Sequence, residues 1–131
     1  MAACDVAMHY LHLIQTAQYE EVGSLWAEDA VFYNPLGNVI HGRPNIQAFY
    51  AEFLHRITPV VRAASITEDA TRHVCVMELE SQMRREPDGT WKTDTTAPFT
   101  PSAIDRFTIN DQGKIQHMIV YTAPSNRWMK Q

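Results

Sequence analysis

Apolar positions recur every three or four residues in the first part of the chain and alternate with polar ones after Pro59, so a helical region precedes a strand region. Asp5 suits an N-cap, and Val6, Tyr10, Leu13, Ile14 and Ala17 follow at helical spacing, which predicts a first helix with Tyr10 on its buried stripe. A second helix is predicted over about residues 19–27, with Val22, Leu25 and Trp26 inward. Pro44 suits the first turn of a third helix, where Ile46, Phe49, Tyr50, Phe53, Leu54 and Ile57 repeat and Phe49, Tyr50 and Phe53 share one long apolar face. Ahead of that helix, the run Ala30-Val31-Phe32-Tyr33 favours an extended backbone, so Phe32 and Asn34 share a face. Pro35 and the turn-like Leu36-Gly37-Asn38 end this strand, leaving Asn34 to overlook a cavity or to brace the turn.

Residues 60–66, 73–83, 91–95, 103–110 and 114–122 have strand patterning, and Pro87-Asp88-Gly89 and Asn110-Asp111-Gln112-Gly113 have hairpin chemistry. Residues 94–102, with Pro98 and Pro101, read as a loop or bulged strand near a pocket mouth. Helices followed by an antiparallel sheet make an α+β domain. With 131 residues there is room for one such domain, 1–131, with a core and a single pocket. Around Asp105, parity places Ile104 and Arg106 on one face and Asp105, Phe107 and Ile109 on the other. A carboxyl among apolar side chains tends to stay protonated and then donates a hydrogen bond; the alternative is an Asp solvated at a strand end or paired with Arg106.

The charge is -4, and no cluster of basic residues extends beyond Arg84-Arg85, which argues against nucleic acid or an acidic membrane as partner and for a small neutral or apolar ligand. Cys4, near the terminus, and Cys75, in an apolar strand, do not suggest a disulfide framework, and a reducing, cytoplasmic home fits them. Asp5, His9 and His12 interrupt the N-terminal apolar residues, so neither a signal peptide nor a spanning helix is expected. His9, His12, His55 and His73 lack metal-ligand spacing, and neither a metal nor a cofactor is expected.

Tyr10, Asn34-Pro35 24 residues later, Gly42 ahead of the helix bearing Phe49-Tyr50, and Ile104-Asp105-Arg106-Phe107 before Gly113-Lys114 together resemble Δ5-3-ketosteroid isomerase of the NTF2-like (SnoaL-like) superfamily. The resemblance spans nearly the whole chain, although the stretch between Met83 and Ala103 is longer here. It implies a cone of three N-terminal helices over a strongly curved antiparallel sheet, usually paired as a homodimer through the sheet's outer face. In that family a Tyr and a protonated Asp form an oxyanion hole while another Asp shuttles a proton. By position Tyr10 and Asp105 match the two donors, and Tyr50 a supporting tyrosine. Asn34 stands where the general base should be, and an amide cannot take a proton from carbon.

A replacement base could come from Glu78, if its strand parity turns it inward in place of Cys75, Met77 and Leu79, or from His41 after the turn; His117 is expected to face outward. The expected pocket combines Tyr10, Asn34 and Asp105 with Phe32, Phe49, Tyr50, Phe53, Phe107, Met118 and Val120. Three readings follow. One is an isomerase- or lyase-like enzyme with little classical isomerase activity, in which Tyr10 and Asp105 polarise a carbonyl and Asn34 orients a water or a substrate oxygen, or a SnoaL-like cyclase, dehydratase or hydrolase on another substrate. The second is a binding protein for a small cyclic ketone or steroid-like ligand. The third is a dimer whose pocket is incidental.

Overall fold

A computed structural model describes residues 2–123. Helix α1, Ala3–Gln15, begins two residues before Asp5, so Ala2 is the N-cap and Asp5 lies within the first turn, where its charge suits the positive helix end. Its buried stripe contains Val6, Tyr10, Leu13 and Ile14. The second helix is a 3-10 helix, Tyr19–Leu25, shorter than expected because Trp26 and Ala27 already belong to strand β1, Trp26–Tyr33. Three residues beyond the turn form strand β2, Val39–His41, which exists only through its pairing with β1. Gly42 then takes φ 86, a left-handed conformation that starts helix α2, Arg43–Ile57.

The remaining strands are β3 (Val61–Asp69), β4 (Val74–Arg85), β5 (Trp91–Thr93), β6 (Phe99–Ile109) and β7 (Ile115–Thr122). They form one unclosed sheet in the order β2-β1-β7-β6-β4-β3, with β5 paired to β4. All ladders are antiparallel except that between β1 and β7, which makes the sheet mixed. Register shifts between β1 and β7, β3 and β4, β4 and β6, and β6 and β7 go with its curvature, since each bulge bends the strand carrying it. Helix α1 packs over β3, β4 and β6, and α2 over β1 and the 3-10 helix. This is the α+β cone of three helices on a curved sheet. Trp26, Phe32, Met77, Phe107, Ile115 and Met118 fill the space between the layers and are fully buried.

Two expectations change here. In β4 the inward residues are Cys75, Met77, Leu79, Ser81 and Met83, while Glu78 faces outward and accepts a hydrogen bond from Ser65 Oγ at 2.7 Å. Glu78 is therefore no base for the cavity, and Cys75, Met77 and Leu79 belong to the core. The second change is a disulfide between Cys4 and Cys75. Cys4 sits in an ordered first helical turn, its backbone N–H bonded to Glu68 Oε1 at 2.8 Å, so it meets inward-facing Cys75 where α1 crosses the sheet. Disulfides persist in oxidising surroundings, so the cysteines give no support to a reducing compartment. No helix among the described residues is long and apolar enough to cross a membrane.

Candidate functional site

Between the helices and the sheet lies an apolar cavity of about 80 Å³ that opens to solvent at its mouth. The helix stripes send Tyr10 from α1 and Phe49, Tyr50 and Phe53 from α2 into it; strand parity adds Phe32, Asp105 and Val120. The rings pack on one another. Phe49 stacks on Phe53 with centroids 5.1 Å apart, and Phe32 stacks on Tyr50 at 5.2 Å. Phe107 and Met118 do not line the space but lie directly behind it. Phe107 meets the Tyr10 ring edge-on at 5.1 Å, and the Met118 sulfur accepts from the Tyr50 hydroxyl at 3.7 Å.

The polar groups of this wall converge. The Tyr10 and Tyr50 hydroxyls are 2.7 Å apart, and either can donate to the other. While Tyr50 donates to the sulfur of Met118, Tyr10 must donate to Tyr50. If Tyr50 turns its proton to Tyr10, the Tyr10 proton is released toward the cavity, at the cost of one weak bond to sulfur. Burial is the first cause that raises the Tyr10 pKa well above its usual value, followed by the nearby Tyr50 and Asp105 charges. Tyr50 is likewise raised well above its usual value, chiefly by burial, with its bond to Tyr10 opposing and Asp105 reinforcing. Both phenols stay protonated near neutral pH.

Asp105 reaches the same space from the middle of β6, and its carboxyl is buried and pushed up to about 7 by loss of solvent. No hydrogen bond to this carboxyl occurs among the described residues, and Arg106 turns instead toward Thr108. At neutral pH a large part of the population carries a neutral acid able to donate.

Asn34 is different. It is buried, but its amide oxygen accepts from the backbone N–H groups of Leu36 and Asn38, both at 2.9 Å, and it is not among the residues lining the cavity. Of the two roles open to it in sequence, the turn brace is the one its bonds serve. His41 sits on exposed β2 away from the cavity. His117 lies on the outer face of β7 against Tyr33. Its pKa is lowered, first by burial and then by Arg106. Among the described residues no group of three or more His, Cys, Asp or Glu side chains could hold a metal ion. Sequence reasoning did not single out Ser81 and Ser102, which line the cavity as a hydroxyl pair; the available signal was Pro101 within a strand pattern, which marks a bulge.

A family model described as a SnoaL-like domain matches residues 7–118, most of the chain and all of the elements that build the cavity except the last residues of β7. The chain belongs to the SnoaL-like family. No curated protein matches it significantly. Among solved structures, this SnoaL-like chain is similar to the epoxide hydrolase/cyclase-like enzyme SalBIII, studied for pyran ring formation in the polyether salinomycin. The TM-score is 0.72 at 16% identity, covering 95% of this chain and 92% of that one. A protein from Kribbella flavida aligns with a TM-score of 0.66 at 19% identity, covering 91% and 84%. At these identities the likeness is one of fold.

Proposed function

We propose that this SnoaL-like chain binds a small, largely apolar cyclic ketone or enol, with the ligand oxygen accepting hydrogen bonds from Tyr10 and neutral Asp105 and with Tyr50 supporting Tyr10. One observation carries this reading: a desolvated carboxyl without a hydrogen-bond partner among the described residues shares an apolar cavity with two protonated tyrosines. Such preorganised donors stabilise negative charge on a bound oxygen. Among the described residues the wall contains no other carboxyl and no histidine or lysine. A carboxyl that donates to the oxygen cannot take a proton from carbon at the same time, so classical Δ5-3-ketosteroid isomerisation is expected to be weak or absent.

A second reading has Asp105 as a general acid. A carboxyl near 7 can give its proton to an ether or epoxide oxygen while the C–O bond breaks and a hydroxyl of the substrate or a water attacks the carbon, the nucleophile's proton then passing to the Asp105 carboxylate and restoring the acid. The similarity to an epoxide hydrolase/cyclase-like enzyme favours it. Calorimetry with equilenin, a fused-ring phenol, tests the shared premise in wild type, Asp105→Asn and Asp105→Ala. Binding should persist in Asp105→Asn, which still donates, and weaken by roughly 10²-fold in Asp105→Ala. Equal affinity in all three proteins would remove Asp105 from the oxygen site. Turnover of an epoxide by wild type that vanishes in Asp105→Asn would favour the acid reading over simple binding.

A homodimer through the outer face of the sheet belongs to the same proposal. Ile104 and Tyr121 are neighbours across β6 and β7 and exposed there, and Tyr33 and Val39 continue the apolar surface on β1 and β2. Sedimentation should give a species of twice the chain mass at micromolar concentration; a clean monomer would exclude this pairing.

A further inference from the structure

The cavity has a second polar end. Ser81 of β4 and Ser102 of β6 are 1% and 2% exposed, and both line the cavity. Ser81 Oγ donates to Ser102 Oγ at 2.8 Å, and Ser102 Oγ donates to the Leu79 carbonyl oxygen at 3.2 Å. A bulge produces this arrangement. Leu79 pairs with Ala103 and Glu80 with Pro101, so Ser102 is an extra residue on β6. Strict alternation from Asp105 through Ala103 would turn Ser102 outward, yet Ser102, Ala103 and Asp105 all line the cavity. The bulge aims a buried hydroxyl into the wall, where an alanine would complete the packing at lower desolvation cost.

The direction of the hydroxyl chain fixes what it offers. The Ser81 proton is spent on Ser102, so Ser81 presents oxygen lone pairs to the cavity. The opposite end presents protons: that of neutral Asp105, and that of Tyr10 once Tyr50 turns its own proton from Met118 to Tyr10. We infer that Ser81 accepts a hydrogen bond from a hydroxyl at the far end of the ligand, and that the substrate class is a rigid, mostly apolar molecule with a carbonyl or enol oxygen at one end and a hydroxyl at the other. Ser102 and Asp105 are three residues apart on one strand, roughly 10 Å at about 3.3 Å per residue, which sets the scale of the separation between the two ligand oxygens. The inference rests on the proposed function in placing the first oxygen at Tyr10 and Asp105.

Three rigid probes test it by calorimetry on the full chain: 4-phenylphenol, 4,4′-dihydroxybiphenyl and 4-hydroxy-4′-methoxybiphenyl. Counted per phenol end, since the dihydroxy compound can bind by either of two, wild type should bind it about three- to tenfold more tightly than 4-phenylphenol, the worth of one hydrogen bond, and the methoxy compound with no such gain, since an ether has no proton to donate. In Ser81→Ala the preference for the dihydroxy compound should fall to about one. Because both affinities are measured on the same protein, a change in the folded fraction cancels in their ratio, and the wild-type comparison decides the matter even if the variant folds poorly. Binding of 4-phenylphenol without preference for the dihydroxy compound overturns this inference alone. Failure of every biphenyl to bind overturns the placement of the first oxygen and this inference with it.

Discussion

Asn34 and Asp105 are equally hidden, at 4% and 3% exposure, and sit at the end of one strand and the middle of another. Asn34 spends its oxygen on two backbone N–H groups of its own turn. Asp105 has no hydrogen bond to its carboxyl among the described residues and stands in a cavity, its pKa raised to about 7 by desolvation. A buried polar group whose bonds are satisfied locally serves the fold. One kept in an apolar wall at a standing cost to stability is available to a ligand. By this comparison Asp105 is the one of the two that the proposed function can use, and Asn34 serves the architecture of the β1 turn.

Reduction of the Cys4–Cys75 disulfide should act on both regions alike. The bond closes a separation of 71 residues, and releasing it should lower stability by about 4 kcal/mol at any pH in the chain-entropy view. Urea denaturation with and without reductant measures this, and a loss confined to one pH range would break the expectation.

Asp105→Asn should instead stabilise, and in a pH-dependent way. The folded pKa of about 7 lies above the ordinary 3.8, so this carboxyl's contribution is intact below about pH 4 and is lost as the pH rises through 7. The gap corresponds to about 4 kcal/mol. Thermal and urea unfolding should therefore show little difference between wild type and Asp105→Asn near pH 4, and a gain of up to about 4 kcal/mol for the variant at pH 8. A pH-independent difference would mean that Asp105 is not desolvated in the folded protein.

Asn34→Ala should give the opposite result, a loss of about 2 kcal/mol that is the same at pH 4 and pH 8, because two turn N–H groups lose their acceptor. The smallest effect is expected for Asn34→Asp. A carboxylate there would accept the same two N–H groups, which lowers its pKa and makes it a poor base, so Δ5-3-ketosteroid isomerisation should rise less than about tenfold. A gain of 10²-fold or more, followed by the conjugated-enone absorbance, would show that residue 34 reaches the substrate after all.

Much of this was legible in the chain because it depends on periodicity. The stripes of α1 and α2 and the inward parity of Phe32 and Asp105 follow from spacing, the inward side of β7 with Val120 follows from the family resemblance, and together they assemble the cavity. What spacing could not show depends on partners distant in sequence. Trp26 looks helical by its neighbours but pairs with Ile115 of β7, and β2 is a strand only because Phe32 faces Ile40. Cys4 and Cys75 join only because α1 crosses β4. The parity of β4 was ambiguous because both of its faces carry residues that can be buried, and the sheet settles it with Glu78 outside. Asn34 was readable in both ways until its turn bonds were seen, and Ser102 faces inward only through a bulge that breaks alternation.

The most direct measurement is the titration of the Asp105 carboxyl itself, followed by its side-chain carbon resonance in ¹³C-labelled protein, assigned with Asp105→Asn, with and without a bound neutral ketone. In the free protein it should titrate near pH 7, and the ketone should move the midpoint higher, because the ligand oxygen accepts the proton that the neutral acid donates. A midpoint near 4 that the ketone leaves unmoved would contradict the role assigned to Asp105.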